Sequence, residues 1–296
     1  MNNGKDNRVC KERRVLNKDR DFGAYRLPKR LESVAFFSRK FAQNKFFIKL
    51  AFLLRKPVLL YVGNDFVDVT VDGVKYRLLP NVNLSDKRLL TTPNLLDGKE
   101  REYFLKELPD GALVVDVGAN IGGYSLQLAG ARNDLRFICI EPNPSVLDRL
   151  KRNISYNEWT NKIEVMPFAL GCEKGQLELN IDLDNEGQSS LVDNKIYNLQ
   201  REIVQVDTLL SLLRGHKLDE PWALKLDIEG AEFPALLGFF ESCSEKCLWP
   251  TWIQIEQYKN TPLTEGVRYL LNLGYEQVLE SRMNVILKKV KKEIIF

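Results

Sequence analysis

A buried-type strand that runs through an acid into a glycine-rich turn, a helix and a second acid-tipped strand restricts this chain more than any other feature. Leu113-Val-Val-Asp-Val117 reads as a strand enclosed on both faces, Gly118-Ala-Asn-Ile-Gly-Gly123 as a tight turn, and Tyr124 to Ala129 as the start of a helix. Leu135 to Glu141 then reads as the next strand, closed by Pro142-Asn-Pro144. That order is a βαβ unit, and it predicts an α/β fold built on an open, mostly parallel sheet with helices on both faces. Ligands of such sheets bind outside the carboxyl ends of the strands. Glycines let the backbone turn and come close to a ligand, and a helix N-terminus offers free N–H donors. Glu141 falls 25 residues after Asp116, at the tip of the second strand. A carboxylate there can accept both hydroxyls of a ribose, so the unit points to a nucleoside cofactor.

The nucleoside can be narrowed. A dinucleotide turn wants Gly-x-Gly-x-x-Gly, its second glycine admitting the pyrophosphate, and here that position is Asn120. No Gly-Lys-Ser/Thr follows the strand, which excludes a Walker loop. S-adenosylmethionine carries a ribose and an adenine but no phosphate, and suits the acidic strand ends better.

A second segment carries the chemistry. Trp222 to Ile228 reads as another enclosed strand, yet Lys225, Asp227, Glu229 and Glu232 fall within eight residues at its exit. Buried strands seldom carry charge without a reason. Asp227 is the candidate base for deprotonating or orienting a hydroxyl, with Glu229 as proton acceptor or acceptor-binding partner. Lys225 alternates with Asp227 along the strand, so the two share a face and can pair, and Lys225 stands with Asp227 and Glu229 as a candidate catalytic residue. Glu256, at the end of the following strand Trp252-Ile-Gln-Ile-Glu256, would extend the acidic wall. Glu232 reads either as acceptor-binding or as an acid at a helix N-terminus. Ser189 and Ser190 lie in a Gly-bearing loop that can contact a polar acceptor or simply turn. No second acidic pair with metal-ligand spacing follows, and no metal is assigned.

Asp116-Val-Gly-Ala-Asn-Ile-Gly122, Glu141-Pro-Asn-Pro144 and Lys225-Leu-Asp-Ile-Glu-Gly-Ala-Glu232 resemble the hallmark segments of FkbM-type methyltransferases. Gly187-Gln-Ser-Ser-Leu191, the Asp207-Thr-Leu209 junction and the strand ending at Glu256 fall in the matching order. The resemblance spans about residues 97–260. It implies a class I, Rossmann-like methyltransferase fold with a seven-stranded sheet, S-adenosylmethionine as cofactor, and O-methylation of a hydroxyl on a sugar, glycan or polyketide-like acceptor. By motif matching it implies that Asp116, Gly118, Asn120 and Gly122 cradle the cofactor, that Glu141 holds its ribose and that Ala169 flanks its adenine.

Charge divides the chain. Residues 1–60 hold 16 Lys/Arg and 5 Asp/Glu, whereas the rest holds 27 and 35. The expected organisation is a basic arm over 1–60, a small β-hairpin and connecting helix over 61–108, and the methyltransferase domain over 109–296. The first 20 residues carry few apolar side chains and read as disordered. Val34 to Lys56 reads as one amphipathic helix, with Ser38, Lys45, Lys49 and Lys56 on a narrow face and Phe and Leu over most of the rest. Three readings compete for residues 34–56: packing on the core, contact with an anionic membrane surface, or a nucleic-acid arm. The last is disfavoured, because the strand end reads Asp227-Ile-Glu-Gly230 where base methyltransferases carry an Asn/Asp-Pro-Pro-aromatic loop. No stretch reaches the ~20 apolar residues that span a bilayer.

Val67 to Leu79 alternates around Asp72-Gly73 and reads as a hairpin. Leu89 to Leu96 reads as loop, Lys99 to Leu108 as helix and Lys162 to Leu170 as one strand. The cysteines at 10, 139, 172, 243 and 247 form neither a disulfide ladder nor a zinc pattern, and with no leader in view they point to a reducing cytoplasm. The single histidine, His216, reads as loop. Two further functions stay open: a nicotinamide-dependent oxidoreductase, which Asn120 argues against, and a non-catalytic binding module on the same fold.

Overall fold

The computed structural model describes residues 20–182, 189–190, 199–228 and 230–290. Residues 1–19, Glu229 and the side chains of Ser189 and Ser190 lie outside the described residues, and with them the expectations placed there.

The chain opens with two helices, α1 (Lys29–Ala42) and α2 (Ile48–Val62), then the hairpin β1 (Val67–Val71) and β2 (Val74–Leu78). Asp72 and Gly73 at its tip both take positive φ, 49° and 85°, as a two-residue turn with the strands' own twist requires. Helices α3 (Leu84–Thr91) and α4 (Gly98–Glu107) lead to β3 (Leu113–Val117), α5 (Ser125–Ala131), β4 (Arg136–Ile140), α6 (Pro144–Tyr156) and β5 (Ile163–Met166). A second small sheet follows from β6 (Ala169–Leu170), β7 (Gly175–Asp182), β8 (Ser189–Ser190) and β9 (Leu199–Asp207). The short α7 (Leu209–Leu212), β10 (Trp222–Leu226), α8 (Glu232–Ser242), β11 (Trp252–Glu256), α9 (Glu265–Asn272), β12 (Tyr275–Glu280) and β13 (Asn284–Lys289) complete the chain.

The main sheet has seven strands in the order β12-β13-β11-β10-β3-β4-β5, and β13 alone runs against the others. The expected fold is therefore present, with its parallel strands enclosed on both sides. Period-two alternation divides their side chains: Val114, Phe137, Ala223 and Trp252 enter one core, Val115, Ile138, Leu224 and Ile253 the other. The first core also takes in Leu27, Ala35, Val58, Val69 and Tyr76. This core thus joins buried side chains from both sides of residues 108 and 109. Strand order reverses between β3 and β10, which puts the switch point at Val117-Gly118 and Leu226-Asp227.

Three expected elements differ. Residues 34–56 are not one helix: the chain breaks after Ala42, where the Asn44 side chain accepts from the Phe46 N–H and caps a new helical turn. The predicted common face dissolves with that break, since Ser38 is fully buried between the two helices and Lys45, Lys49 and Lys56 are exposed. The predicted loop at Leu89 is instead the end of α3, whose start is capped by the Asn83 side chain accepting from the Ser85 and Asp86 N–H groups. A buried ion pair between Asp86 and Arg149 of α6 fastens it. The single strand over 162–170 divides at Pro167, which has no N–H for a ladder, and the chain passes to the second sheet.

Candidate active site

The carboxyl ends of β3, β4, β10 and β11 open into a cavity of about 320 Å³ whose walls also include residues of α3, Leu96-Asp97, Phe168-Ala169-Leu170 and Met283-Asn284. Gly118, Asn120, Glu141, Ala169, Lys225, Asp227 and Glu256 all line it, as the sequence led one to expect.

The turn after β3 is tightly prescribed. Gly118 has φ +74°, and a Cβ there would lie 2.0 Å from the backbone oxygen of Asp227. The glycine is therefore required by contact between the two strand ends at the switch point. Asn120 takes φ 51°, in the left-handed region that Asn tolerates. Its N–H donates to Glu141 Oε2 at 2.9 Å, and its side-chain oxygen accepts from Asn83 Nδ2, also at 2.9 Å. The second carboxylate oxygen of Glu141 accepts from the Asn143 N–H at 2.9 Å. The N–H that would face a pyrophosphate in a dinucleotide site is thus turned onto the acid at the tip of β4. Burial pushes the Glu141 carboxyl up to about 7, against the pull of those two N–H donors and with the help of nearby Asp116.

Two residues expected to touch the cofactor do not line the cavity. Asp116 is fully buried beneath it, accepting from Ser125 Oγ at 2.7 Å and pairing with Lys225 Nζ at 3.1 Å. Gly122, at φ +86°, makes room for packing: a Cβ would fall 2.1 Å from Leu126 Cδ1 and 2.8 Å from Leu150 Cδ1. Both build the floor under the turn.

Across the switch point, Lys225 reaches up from β10 with 3% of its side chain exposed and sits between Asp116 and Asp227, 3.3 Å from the latter. Burial alone would lower its proton affinity, but Asp116, Asp227 and Asp97 together outweigh that and hold the ammonium charged well above the usual lysine range. A fixed cation cannot accept a proton, so Lys225 is corrected from reacting group to positioning group. Asp227 is the open member, with 48% of its side chain exposed. Glu232 is also corrected. It lies outside the cavity lining and accepts from the Ile228 and Gly230 N–H groups, both at 3.0 Å, as an acid at the start of α8 that clamps the strand exit. Glu256 is half-buried on the cavity wall, its carboxyl raised by burial and by Asp227 and Glu232, against a hydrogen bond from Tyr258.

Sequence reasoning missed Asp97. It holds a left-handed backbone at φ 48°, lines the cavity, and its Oδ1 accepts from Asn284 Nδ2 at 3.0 Å. Burial pushes it up to about 6, with Lys225 pulling down and Asp227 and Glu100 pushing up. A non-glycine residue held in this region stores strain of a kind that collects at functional sites. Buried Glu100 shares the same amide of Asn284, at 3.1 Å. The Asn83-x-x-Asp86 capping pattern was the one local signal for this wall, and it marks α3 rather than Asp97.

A family model described as the methyltransferase FkbM domain matches residues 116–277, more than half of the chain. This chain belongs to the FkbM methyltransferase family. Membership sets aside the oxidoreductase alternative. Among curated relatives, Methyltransferase sdnD of Sordaria araneosa is 27% identical over 167 residues, covering 47% of this chain and 64% of its own. Methyltransferase 1 of Beauveria bassiana is 28% identical over 154 residues, covering 46% and 61%. The chain thus matches less than two thirds of either relative's length. Among solved structures, the human methyltransferase 10 domain containing protein superposes with a TM-score of 0.42 at 14% identity, covering 89% of this chain and 98% of that one. The family match begins at Asp116, so Asn83, Ser85, Arg88 and Asp97 line the cavity from outside it, and so does Asn284.

Proposed function

We propose that this chain is an S-adenosylmethionine-dependent O-methyltransferase whose acceptor is a hydroxylated small molecule, a glycan or a polyketide-like compound. The observation that carries the reading is the opening of the half-exposed Asp227 carboxylate into the same cavity as Glu141 and the Gly118 turn. The residues present fit the cofactor. Glu141 keeps lone pairs for ribose hydroxyls, the Gly118–Asn120 backbone edges the cavity, and Phe168, Ala169 and Leu170 supply an apolar side for an adenine. When bound, the cofactor supplies an activated methyl on a sulfonium. The protein's task is then mainly to position the acceptor and relieve it of a proton.

Asp227 is the residue we assign to that proton. It is anchored from below by Lys225, which fixes its direction. The Asp97, Asn284 and Glu256 groups around it offer acceptors and donors that match the neighbouring hydroxyls of a polyol. Asp97 is the second reading for the base, favoured by its carboxyl lying near 6 and closer to the pH of work. Glu229, Ser189 and Ser190 keep the roles proposed from sequence. A panel of hydroxylated acceptors incubated with labelled S-adenosylmethionine tests the reading. Label transfer that survives Asp97→Asn and collapses in Asp227→Asn supports it. Calorimetric binding of NAD with none of S-adenosylmethionine or S-adenosylhomocysteine removes it.

A further inference from the structure

The helical hairpin α1–α2 is packed through its small residues and shows its large ones to solvent. Ala35, Ser38, Ala42, Ala51 and Val58 are buried, while Phe46 is 92% exposed, Leu60 83% and Leu53 59%. Leu50, Leu53 and Leu60 recur at the spacing of one helical face, so they form a stripe along α2, with Phe46 exposed in the turn that precedes it. Lys45, Lys49 and Lys56 form the neighbouring stripe, all exposed. At the turn the aromatic rings run on as a chain, with Phe37 to Phe41 centroids 6.5 Å apart and Phe41 to Phe47 5.7 Å. Such a continuous apolar face with a lysine border differs from the scattered apolar residues of an ordinary surface. Packing of this hairpin on the core, one of the readings open from sequence, thus accounts for its small residues and leaves Phe46, Leu53 and Leu60 exposed.

We propose that the α1–α2 hairpin docks this protein on an anionic membrane surface, lying in the interface with its phenylalanines and leucines inserted and its lysines among the head groups. Two observations choose this occupant. Between Lys29 and Val62 there are eight Lys/Arg and one Glu, whereas residues 61–296 carry an excess of acid, 35 against 27. A net-acidic body is repelled by anionic lipid whereas the lysine- and arginine-rich hairpin is drawn to it, and a second copy seated hairpin against hairpin would set lysine against lysine. Moreover, no helix among the described residues is long and apolar enough to cross a membrane. A basic amphipathic helix of this length therefore lies on the surface instead of spanning it. The hairpin is fixed rigidly to the site: Ser38 Oγ donates toward the Thr91 carbonyl at 3.0 Å and Arg39 Nη1 donates to the Leu90 carbonyl at 2.9 Å. Both carbonyls belong to α3, whose Leu84, Ser85 and Arg88 line the cavity.

Flotation of the full chain with vesicles tests this independently of the methyl-transfer reading. The protein is expected to float with vesicles containing phosphatidylserine and to stay in the soluble fraction with pure phosphatidylcholine. Lys45→Glu/Lys49→Glu/Lys56→Glu should lower partitioning on the order of 100-fold, and added salt should weaken it. Leu53→Ser/Leu60→Ser should lower it also. All these positions are exposed, so unchanged thermal unfolding verifies that the variants fold. Equal soluble recovery with both vesicle types, or variants that float like the parent, overturns the proposal. A dimer in light scattering that Leu53→Ser disperses, with no flotation, assigns the face to a second copy instead.

Discussion

The cavity has two walls of different origin. One, inside residues 116–277, is built around one βαβ unit, with the Asn120 and Asn143 N–H groups both donating to Glu141, and is completed by the ends of β10 and β11. The other is assembled from α3, Asp97 and Asn284, the last two 187 residues apart and joined by a single side-chain hydrogen bond. The first wall is local and self-supporting, and it is shared with a family. The second depends on long-range packing outside the family match, which is where selection of one acceptor over another can be built without disturbing the cofactor. Lys225 lies on the seam between them: it pairs with Asp116 and Asp227 of the first wall, and its charge acts on Asp97 of the second.

The comparison can be broken first at that seam. Lys225→Met leaves Asp116 buried without its cation, and breaking a buried pair in this way costs about 3–5 kcal/mol, measurable by urea unfolding. A loss under about 1 kcal/mol would mean that buried Asp116 does not depend on this cation. Next, Asp227→Asn should cut turnover by roughly 10²-fold or more with little change in cofactor affinity. If Asp97→Asn takes that loss instead, the base belongs to the private wall. Third, Glu141→Ala should weaken cofactor binding by about 1.5–3 kcal/mol and leave the acceptor KM in place.

A smaller effect follows from pH. The folded Glu141 and Asp97 carboxyls are raised, to about 7 and about 6, so the folded state binds protons more readily than the unfolded one. Their contribution to stability is full below their unfolded values and is lost as pH rises through the folded ones. Cofactor binding runs the other way, since ribose hydroxyls need the ionised acid. Between pH 8 and pH 6 affinity should fall about tenfold while thermal stability of the free protein gains from these two groups, and Glu141→Gln should flatten the affinity trend and reduce the stability trend to the share of Asp97. A pH-independent affinity would detach Glu141 from the ribose. Least of all, chelators should leave turnover unchanged. Loss of activity restored by magnesium or manganese would make Asp227 a metal ligand.

The first wall was legible because its information is contiguous: an apolar strand, a turn that needs positive φ at Gly118, Asn120 and Gly122, and an acid one strand later. Even there the sequence could not tell which glycine meets the ligand and which meets Leu126 and Leu150, because that depends on what folds back over it. The second wall was largely illegible. The last three residues of α3 read as loop because a short helix of ordinary propensity is held by the Asn83 cap and by Arg149 from α6. Asp97 is one acid among many until Asn284 is brought against it. The arm was read as a basic amphipathic element, but one capping asparagine, Asn44, divides it in two.

The contact of Gly118 with the Asp227 carbonyl has a consequence for anyone reading mutational scans of this chain. Position 118 bears no side chain, yet any side chain placed there must push the exit of β10 aside. A library scored on turnover will therefore rank position 118 with the reactive residues, and a library scored on ligand retention will rank it with the binding residues. Its actual part is that of a spacer, and only the two scores taken together, failing in equal measure, distinguish it from either.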